Sequence, residues 1–288
     1  TGLELKGTTE HPILTMNQEC QLVWKTLGQI EQGDYVAVAR HIDCWAENMP
    51  TFEAFSPELV VTRKQITYPT RMTPELARLL GYMVSEGCMD EHRVRFVNAD
   101  KEVFDDFLSC FSRVFGVDVS EKFSTRINPK TGVVTYLFHA EWKGAAQFFK
   151  YVGLTCDHSN RKIVPQSILR SPKEIAAEFL RAYFEGDGHV SRLVYCASAS
   201  EELLRQIQQI LLNFGIISVL RRKRIGGAMY FYLNMQGAEA KAYMERIGFV
   251  SRKKQQALNL PEKRNTNIDV VPYLVEALRN RSQSCNGY

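Results

Sequence analysis

What most limits the fold of this 288-residue chain is an internal repeat of about 100 residues. The stretch "TPELARLLGYMV" (73–84) places Leu76, Leu79, Leu80 and Met83 at helical spacing, and Thr73 followed by Pro74 is an N-cap and first-turn signal. After Gly87, "RVRFVN" alternates as a strand, 101–115 is helical and stops at Gly116, and "VSEKFSTRI" and "VVTYLFHA" flank the turn "NPKTG". The same order recurs downstream. An apolar helix over 173–185 runs into Gly186 and Gly188, then come "LVYCAS", the helix "EELLRQIQQILLNF" stopped by Gly215, and "SVLRRKRI" and "MYFYLNM" around Gly226-Gly227. Gly188 lies 101 residues after Gly87, and Gly215 lies 99 after Gly116. Two copies of one α-β-β-α-β-β unit explain that agreement better than chance does.

The first helix of each copy is apolar nearly all round, so it must be buried, and the equivalent helix of the other copy is the obvious partner. A pseudo-twofold axis is expected between them. Residues 1–50 read as a small all-β segment, 51–72 with Pro50, Pro57 and Pro69 nearby as a linker, 73–170 and 171–262 as the two halves, and 263–288 as a tail.

Aligning "LLGYMVSEG" (79–87) with "LRAYFEGDG" (180–188) sets Gly81 against Ala182, Glu86 against Asp187 and Gly87 against Gly188. Small residues at the third place let two helix backbones approach closely. Close packing then brings two acids together at two helix C-termini, each of which already carries about half a negative charge. Like charges gain nothing from this arrangement unless a divalent cation joins them. Mg²⁺ takes a few carboxylate oxygens plus water, and metal pairs suit in-line phosphoryl displacement. An acid before glycine is commonly no more than a solvated C-cap, but its repetition at equivalent offsets argues for a site.

The doubled nonamer and the repeated unit resemble the LAGLIDADG homing endonucleases in their single-chain form, over roughly 73–260. The resemblance implies an α+β fold of two pseudo-symmetric αββαββα halves, whose curved antiparallel sheets form a saddle for double-stranded DNA. It implies a monomeric, Mg-dependent nuclease that cuts a long site and leaves short 3′ overhangs; Mn or Ca suits the same site. Glu86 and Asp187 would hold metal and activate water, with the backbone of Gly87 and Gly188 as further ligands. Copy one departs by carrying Glu, one methylene longer, and Val84 at the often acidic sixth place.

"NRKIVP" sets Lys162 ahead of Pro165 and 25 residues before Asp187, similar to the catalytic lysine of intein-borne members. Such a lysine stabilises the developing phosphorane charge or polarises the nucleophile. In the second copy Lys253 and Lys254 both parallel it; no residue pattern separates them, and Lys254 is the one expected. For DNA contact, "RVRFVN" places Arg93 and Arg95 on one face. Lys122, Arg126, Arg192, Arg221, Lys223, Tyr230, Tyr232 and Asn234 lie on or beside the other strand-like runs, and such a face combines phosphate neutralisation with base-edge readout.

The N-terminal "GTTEHPILT" before "LGQIEQGDYVAV" resembles part of an intein splicing (Hint-like) domain, with Thr8 and His11 matching the T-x-x-H block. The chain has no terminal His-Asn pair and begins seven residues before Thr8, so it is expected not to splice alone but to be the central part of an intein. A catalytically weak DNA- or RNA-binding relative, a maturase or regulator, is the other alternative; retention of both acids argues against it.

Composition adds bounds. The net charge of +4 neither demands nor excludes nucleic acid. The seven cysteines are scattered with no C-x-x-C spacing, so buried reduced thiols are expected rather than disulfides or zinc. No run approaches the roughly 18 apolar residues of a membrane span, and no signal peptide opens the chain, so no membrane partner and a cytoplasmic, prokaryotic-type location are expected.

Overall fold

The computed structural model describes residues 1–40, 42–58, 66–155, 158–259, 271–275 and 278–279. At the N-terminus, β1 (Pro12–Met16), β2 (Leu22–Thr26) and β3 (Tyr35–Val36) form an antiparallel sheet in the order β2-β1-β3. This is the expected all-β segment.

The expected linker is not a free tether. Met72 N–H donates to Pro50 O (2.8 Å), Thr51 bridges Arg71, and the Phe52 ring is buried against Phe148. Aromatic residues in the described parts of this stretch, Phe52, Phe55 and Tyr68, let those parts pack on the first half.

That half runs α1 (Pro74–Ser85), β4 (Gly87–Met89), β5 (Val94–Asn98), α2 (Lys101–Phe115), β6 (Phe123–Ile127), β7 (Val134–Ala140) and α3 (Lys143–Tyr151). After the short α4 (Gln166–Leu169), the second half repeats it as α5 (Lys173–Asp187), β8 (Gly188–Val190), β9 (Leu193–Ser198), α6 (Glu201–Asn213), β10 (Val219–Ile225), β11 (Ala228–Gln236) and α7 (Ala238–Arg246); α8 (Arg252–Gln255) follows. The sheets have matching antiparallel orders, β4-β5-β7-β6 and β8-β9-β11-β10. Each half is therefore αββαββα.

Local chemistry sets these bounds. The Thr73 side chain accepts from Leu76 N–H, Asp100 from Glu102 N–H and Ser200 from Leu203 N–H, each satisfying an otherwise unpaired helix-start donor. Gly116 ends α2 in the left-handed region at φ 61°. One face of α2 buries Phe104, Phe107 and Phe111 over Phe96 and Phe138 of the sheet. Aliphatic Leu204, Ile207 and Leu211 take the equivalent places on α6.

Helices α1 and α5 pack on each other along the pseudo-twofold. A Cβ built on Gly81 would sit 2.4 Å from Phe179 O and 2.9 Å from Ala182 Cβ, so glycine alone permits this approach. Beside the seam, the Arg78 guanidinium donates to Asp106 Oδ1 (2.7 Å) and Glu178 Oε2 (2.6 Å), tying α1, α2 and α5 together.

One expectation changes. Among the described cysteines only Cys110 and Cys196 are buried, Cys44 and Cys88 are exposed, and all five are free thiols; Cys156 and Cys285 lie outside the described residues. Cys88 is exposed because it points to the outer side of a strand whose neighbours Gly87 and Met89 face the helices. Most of the tail lies outside the described residues, but Tyr273 meets Tyr35 of the N-terminal sheet edge to face (5.3 Å between centroids).

Candidate active site at the paired helix ends

Both acids sit where an apolar helix gives way to a short strand. Asp187 is the last residue of α5, and Glu86 caps α1 at φ −110°. The glycines that follow are not left-handed caps: Gly188 has φ −93°, and Gly87 is also outside the positive-φ residues. They are needed for space. A Cβ on Gly188 would lie 2.2 Å from Phe184 O, and one on Gly87 2.5 Å from Met83 Cα. Gly186 is the third such position, since its Cβ would fall 2.4 Å from Ser85 Oγ and 3.0 Å from Glu86 Cγ. Thus the Glu86 side chain rests against the residue that precedes Asp187, and the two halves bring their acids together.

The electrostatics follow from crowding. Burial pushes the Asp187 carboxyl up to about 6, with Lys162, the Tyr183 hydroxyl and Lys254 pulling the other way. Glu86 is pushed up to about 7, first by desolvation and further by the Asp187 charge, against a hydrogen bond from Asn98 Nδ2. The Glu86 side chain is itself exposed at the surface, so solvent trims this rise without changing its sign. The Asn98 amide is aimed by its own carbonyl, which accepts from Asp100 N–H at the start of α2 (2.7 Å).

The two lysines take symmetric places. Lys162 Nζ donates to Val84 O (2.7 Å) and Ser85 O (3.0 Å), the carbonyl end of α1. Lys254 Nζ donates to Phe184 O (3.2 Å), Glu185 O and Gly188 O (2.8 Å) at the end of α5. Lys254 rather than Lys253 therefore parallels Lys162. Cations at these ends meet the negative pole of each helix. The Gly188 carbonyl, expected as a metal ligand, is already engaged by this ammonium, and Gly87 is paired across the ladder with Phe96.

Several residues here escaped the sequence reading. Glu185, 4% exposed, accepts from Val250 N–H (2.9 Å), Ser251 N–H (3.0 Å) and Ser251 Oγ–H (2.7 Å), fixing the segment that carries Lys254. On the other side, Ser200 Oγ donates to Lys162 O (2.7 Å) and Gln206 Oε1 accepts from Val164 N–H (2.8 Å), so the second half positions Lys162 over the first. A polar residue breaking an otherwise apolar helix face, such as Glu185 in "YFEGDG", is the signal that was available.

The proposed contact residues mostly share the sides of the two sheets turned away from the helices. Arg95 and Arg126 lie there in the first sheet, and Arg221, Lys223, Tyr230, Tyr232 and Asn234 in the second, alternating with buried Phe96, Phe138 and Leu233. Arg93 and Arg192 lie in the turns before β5 and β9 and are exposed. Lys122 lies before β6, with its ammonium 4.6 Å from the Trp142 ring centroid in a cation–π contact. Thr8 and His11 are exposed on the N-terminal segment, with His11 N–H donating to Thr8 O (3.0 Å).

Two carboxylates from separate halves, both raised by desolvation and Glu86 further by the Asp187 charge, are a donor set that fits a divalent metal. Among the described residues no group of three or more His, Cys, Asp or Glu gathers. Also among the described residues, no helix is long and apolar enough to cross a membrane.

Comparison with known proteins gives three results. The chain is 28% identical over 273 residues to the replication factor C small subunit of Thermococcus kodakarensis, covering 93% of this chain and 28% of that protein. It is 27% identical over 296 residues to a DNA gyrase subunit from Mycobacterium kansasii, covering 98% of this chain and 49% of that one. The chain thus spans about a quarter to a half of these relatives. Among solved structures, the homing endonuclease I-WcaI bound to its DNA recognition sequence is similar at 13% identity and TM-score 0.46, over 65% of this chain and 87% of that one. I-DmoI in complex with DNA and Ca is similar at 12% identity and TM-score 0.46, over 73% and 97%. The part of the chain that carries most of α5, Asp187 and the whole second sheet, residues 174–248, matches the family described as the LAGLIDADG-like domain.

Proposed function

We propose that this chain is a site-specific, divalent-metal-dependent DNA endonuclease of the homing type, cutting both strands of a long duplex site to leave short 3′ overhangs. The observation that carries the proposal is the meeting of Glu86 and Asp187, one from each half, at the ends of two helices held together by Gly81. Two acids brought together at the carbonyl ends of two helices favour a divalent ion, Mg²⁺ in the cell. Glu86 and Asp187 hold it, with water and substrate phosphate completing a shell the protein leaves open. Bound there, the ion supplies Lewis-acid stabilisation of the charge on the transferring phosphoryl group. Lys162 and Lys254 add fixed positive charge beside the acids, where it offsets charge building on phosphate oxygens. Both halves come from one chain, so a monomer suffices for two strands.

A second reading concerns origin. Two relatives with unrelated names match this chain along nearly all of its length but only part of their own. A segment shared by otherwise different proteins is what an inserted intein gives, and the N-terminal sheet with Thr8 and His11 is then the remnant of its splicing domain. The tail and a cytoplasmic site of action belong to the same reading.

The test is incubation of the protein and its Asp187→Asn variant with a randomised duplex library and Mg²⁺. Discrete cutting by the parent with binding alone by the variant is expected; equal cutting by both refutes the site.

A further inference from the structure

Helix α5 carries two charged residues one turn apart, Arg181 and Glu185, and both grip the link 247–251 between α7 and α8. Arg181 Nε donates to Ile247 O (2.8 Å), the carbonyl that closes the C-terminal end of α7. Glu185 accepts from Val250 N–H, Ser251 N–H and Ser251 Oγ–H. One residue takes up an acceptor and the other three donors, so the link cannot slide along α5 and keep both sets. Lys254 follows three residues after Ser251, and its Nζ reaches Phe184 O (3.2 Å) and Gly188 O (2.8 Å) at the end of the same helix.

Arg181 is itself held. Its Nη1 donates to Glu178 Oε1 (2.6 Å), and the other oxygen of that carboxylate accepts from Arg78 Nε (2.8 Å) and Nη2 (2.6 Å). A planar guanidinium engaged at both Nε and Nη1 has little freedom to turn, so Arg181 is a fixed donor rather than a mobile surface charge.

The first half holds its lysine by other means. The residues 101 positions earlier, on α1, are Leu80 and Val84, both buried and without a polar side-chain atom. Lys162 is held instead from α6, through Ser200 Oγ donating to Lys162 O and Gln206 Oε1 accepting from Val164 N–H.

Resting on the endonuclease reading above, we infer that Arg181 is a positioning residue for Lys254: with Glu185 it sets that ammonium on the end of α5, separately from Lys162. The lysines of the two halves can therefore be disturbed one at a time.

The test is acylation of the metal-free, DNA-free protein by limiting N-hydroxysuccinimidyl acetate, with the extent at each lysine read by tandem mass spectrometry. Exposed Lys253 reports the unhindered rate. Loss of one hydrogen bond to a charged group loosens a held segment about tenfold, so Arg181→Met should raise labelling of Lys254 about tenfold against Lys253 and leave Lys162 unchanged. Ser200→Ala should uncover Lys162 and spare Lys254. Arg181→Lys keeps one donor for Ile247 O, so a smaller rise at Lys254 alone is expected; it is read in place of Arg181→Met should that variant melt below the assay temperature. Unchanged Lys254 labelling, or an equal rise at Lys162 and Lys254 in a folded Arg181 variant, overturns the inference. On a selected duplex labelled in each strand, Arg181→Met in Mg²⁺ should slow cutting of one strand about tenfold at unchanged binding, while Ser200→Ala slows the other. Equal slowing of both strands by Arg181→Met overturns the inference as well. If Lys254 alone is uncovered and the parent cuts neither strand, the endonuclease reading fails and the positioning stands.

Discussion

Replacing Gly81 with alanine tests whether the helix seam sets the position of the acids. The new Cβ would lie 2.4 Å from Phe179 O, which is 0.6 Å inside the 3.0 Å floor for such contacts, and the obstacle is backbone rather than a flexible side chain. Overpacking of this kind costs about 1–3 kcal/mol. Alanine returns up to about 1 kcal/mol through its helix propensity. Against a backbone obstacle the cost lies in the upper part of that range, about 2–3 kcal/mol, so the net loss is about 1–2 kcal/mol, and at about 2–4 °C per kcal/mol the Tm should fall by about 2–8 °C. Because α1 and α5 must move apart, the acids at their ends shift as well. Misplacement of about 1 Å costs up to about 100-fold in rate, so cleavage should drop at least tenfold. Combining Gly81→Ala with Ala182→Gly removes the 2.9 Å contact but not the one to Phe179 O, so it should recover only part of the Tm. Differential scanning calorimetry and a plasmid-cutting time course read both effects. A Gly81→Ala protein that melts no lower and cuts no slower than the parent would refute the reasoning.

Three further predictions concern charge. In the unfolded chain Asp187 and Glu86 return to about 3.8 and 4.5, whereas in the folded protein they lie near 6 and 7. Between these limits the folded state binds more protons than the unfolded one, so metal-free stability contributed by these groups falls as pH rises from about 4 to 7; the Tm of the parent should decline over that window relative to a Glu86→Gln/Asp187→Asn variant, and an identical pH profile would contradict the burial of the pair. Lys254→Met should slow cutting about 100-fold while Lys253→Met leaves it nearly unchanged, because only Lys254 reaches the end of α5; equal effects in a nicking assay would defeat that choice. Glu185→Ala strands the Val250 and Ser251 amides, each worth about 1–3 kcal/mol when left buried without a partner, and should lower the Tm by several degrees, whereas an unchanged melt would show the loop is held by something else.

The repeat carried most of what was legible. Helix periodicity and glycine stops located α1, α2, α5 and α6, since these signals are local, and the offset between copies was enough to place Gly81 opposite Ala182. The short strands β4 and β8 directly after the acids were not visible, because three residues carry no alternation long enough to read. Nor was the reason for the glycines: an acid-glycine pair suggests a left-handed cap, while the structure uses both glycines for clearance in ordinary backbone. Asn98, Glu185, Ser200 and Gln206 act on the site across 12 to 66 residues, and such pairings are set by tertiary packing. The Lys122–Trp142 contact was not legible for the same reason, since the proximity of Trp142 is a property of the folded sheet end.

The central claim is that Glu86 and Asp187 share a divalent cation against a DNA phosphate. Anomalous scattering from Mn²⁺, in crystals of the protein bound to a selected duplex, locates that ion directly. A peak within coordination distance of both carboxylates, lost in Glu86→Gln/Asp187→Asn, is the predicted result. Manganese bound elsewhere, with the two carboxylates bare beside the duplex, would contradict the account.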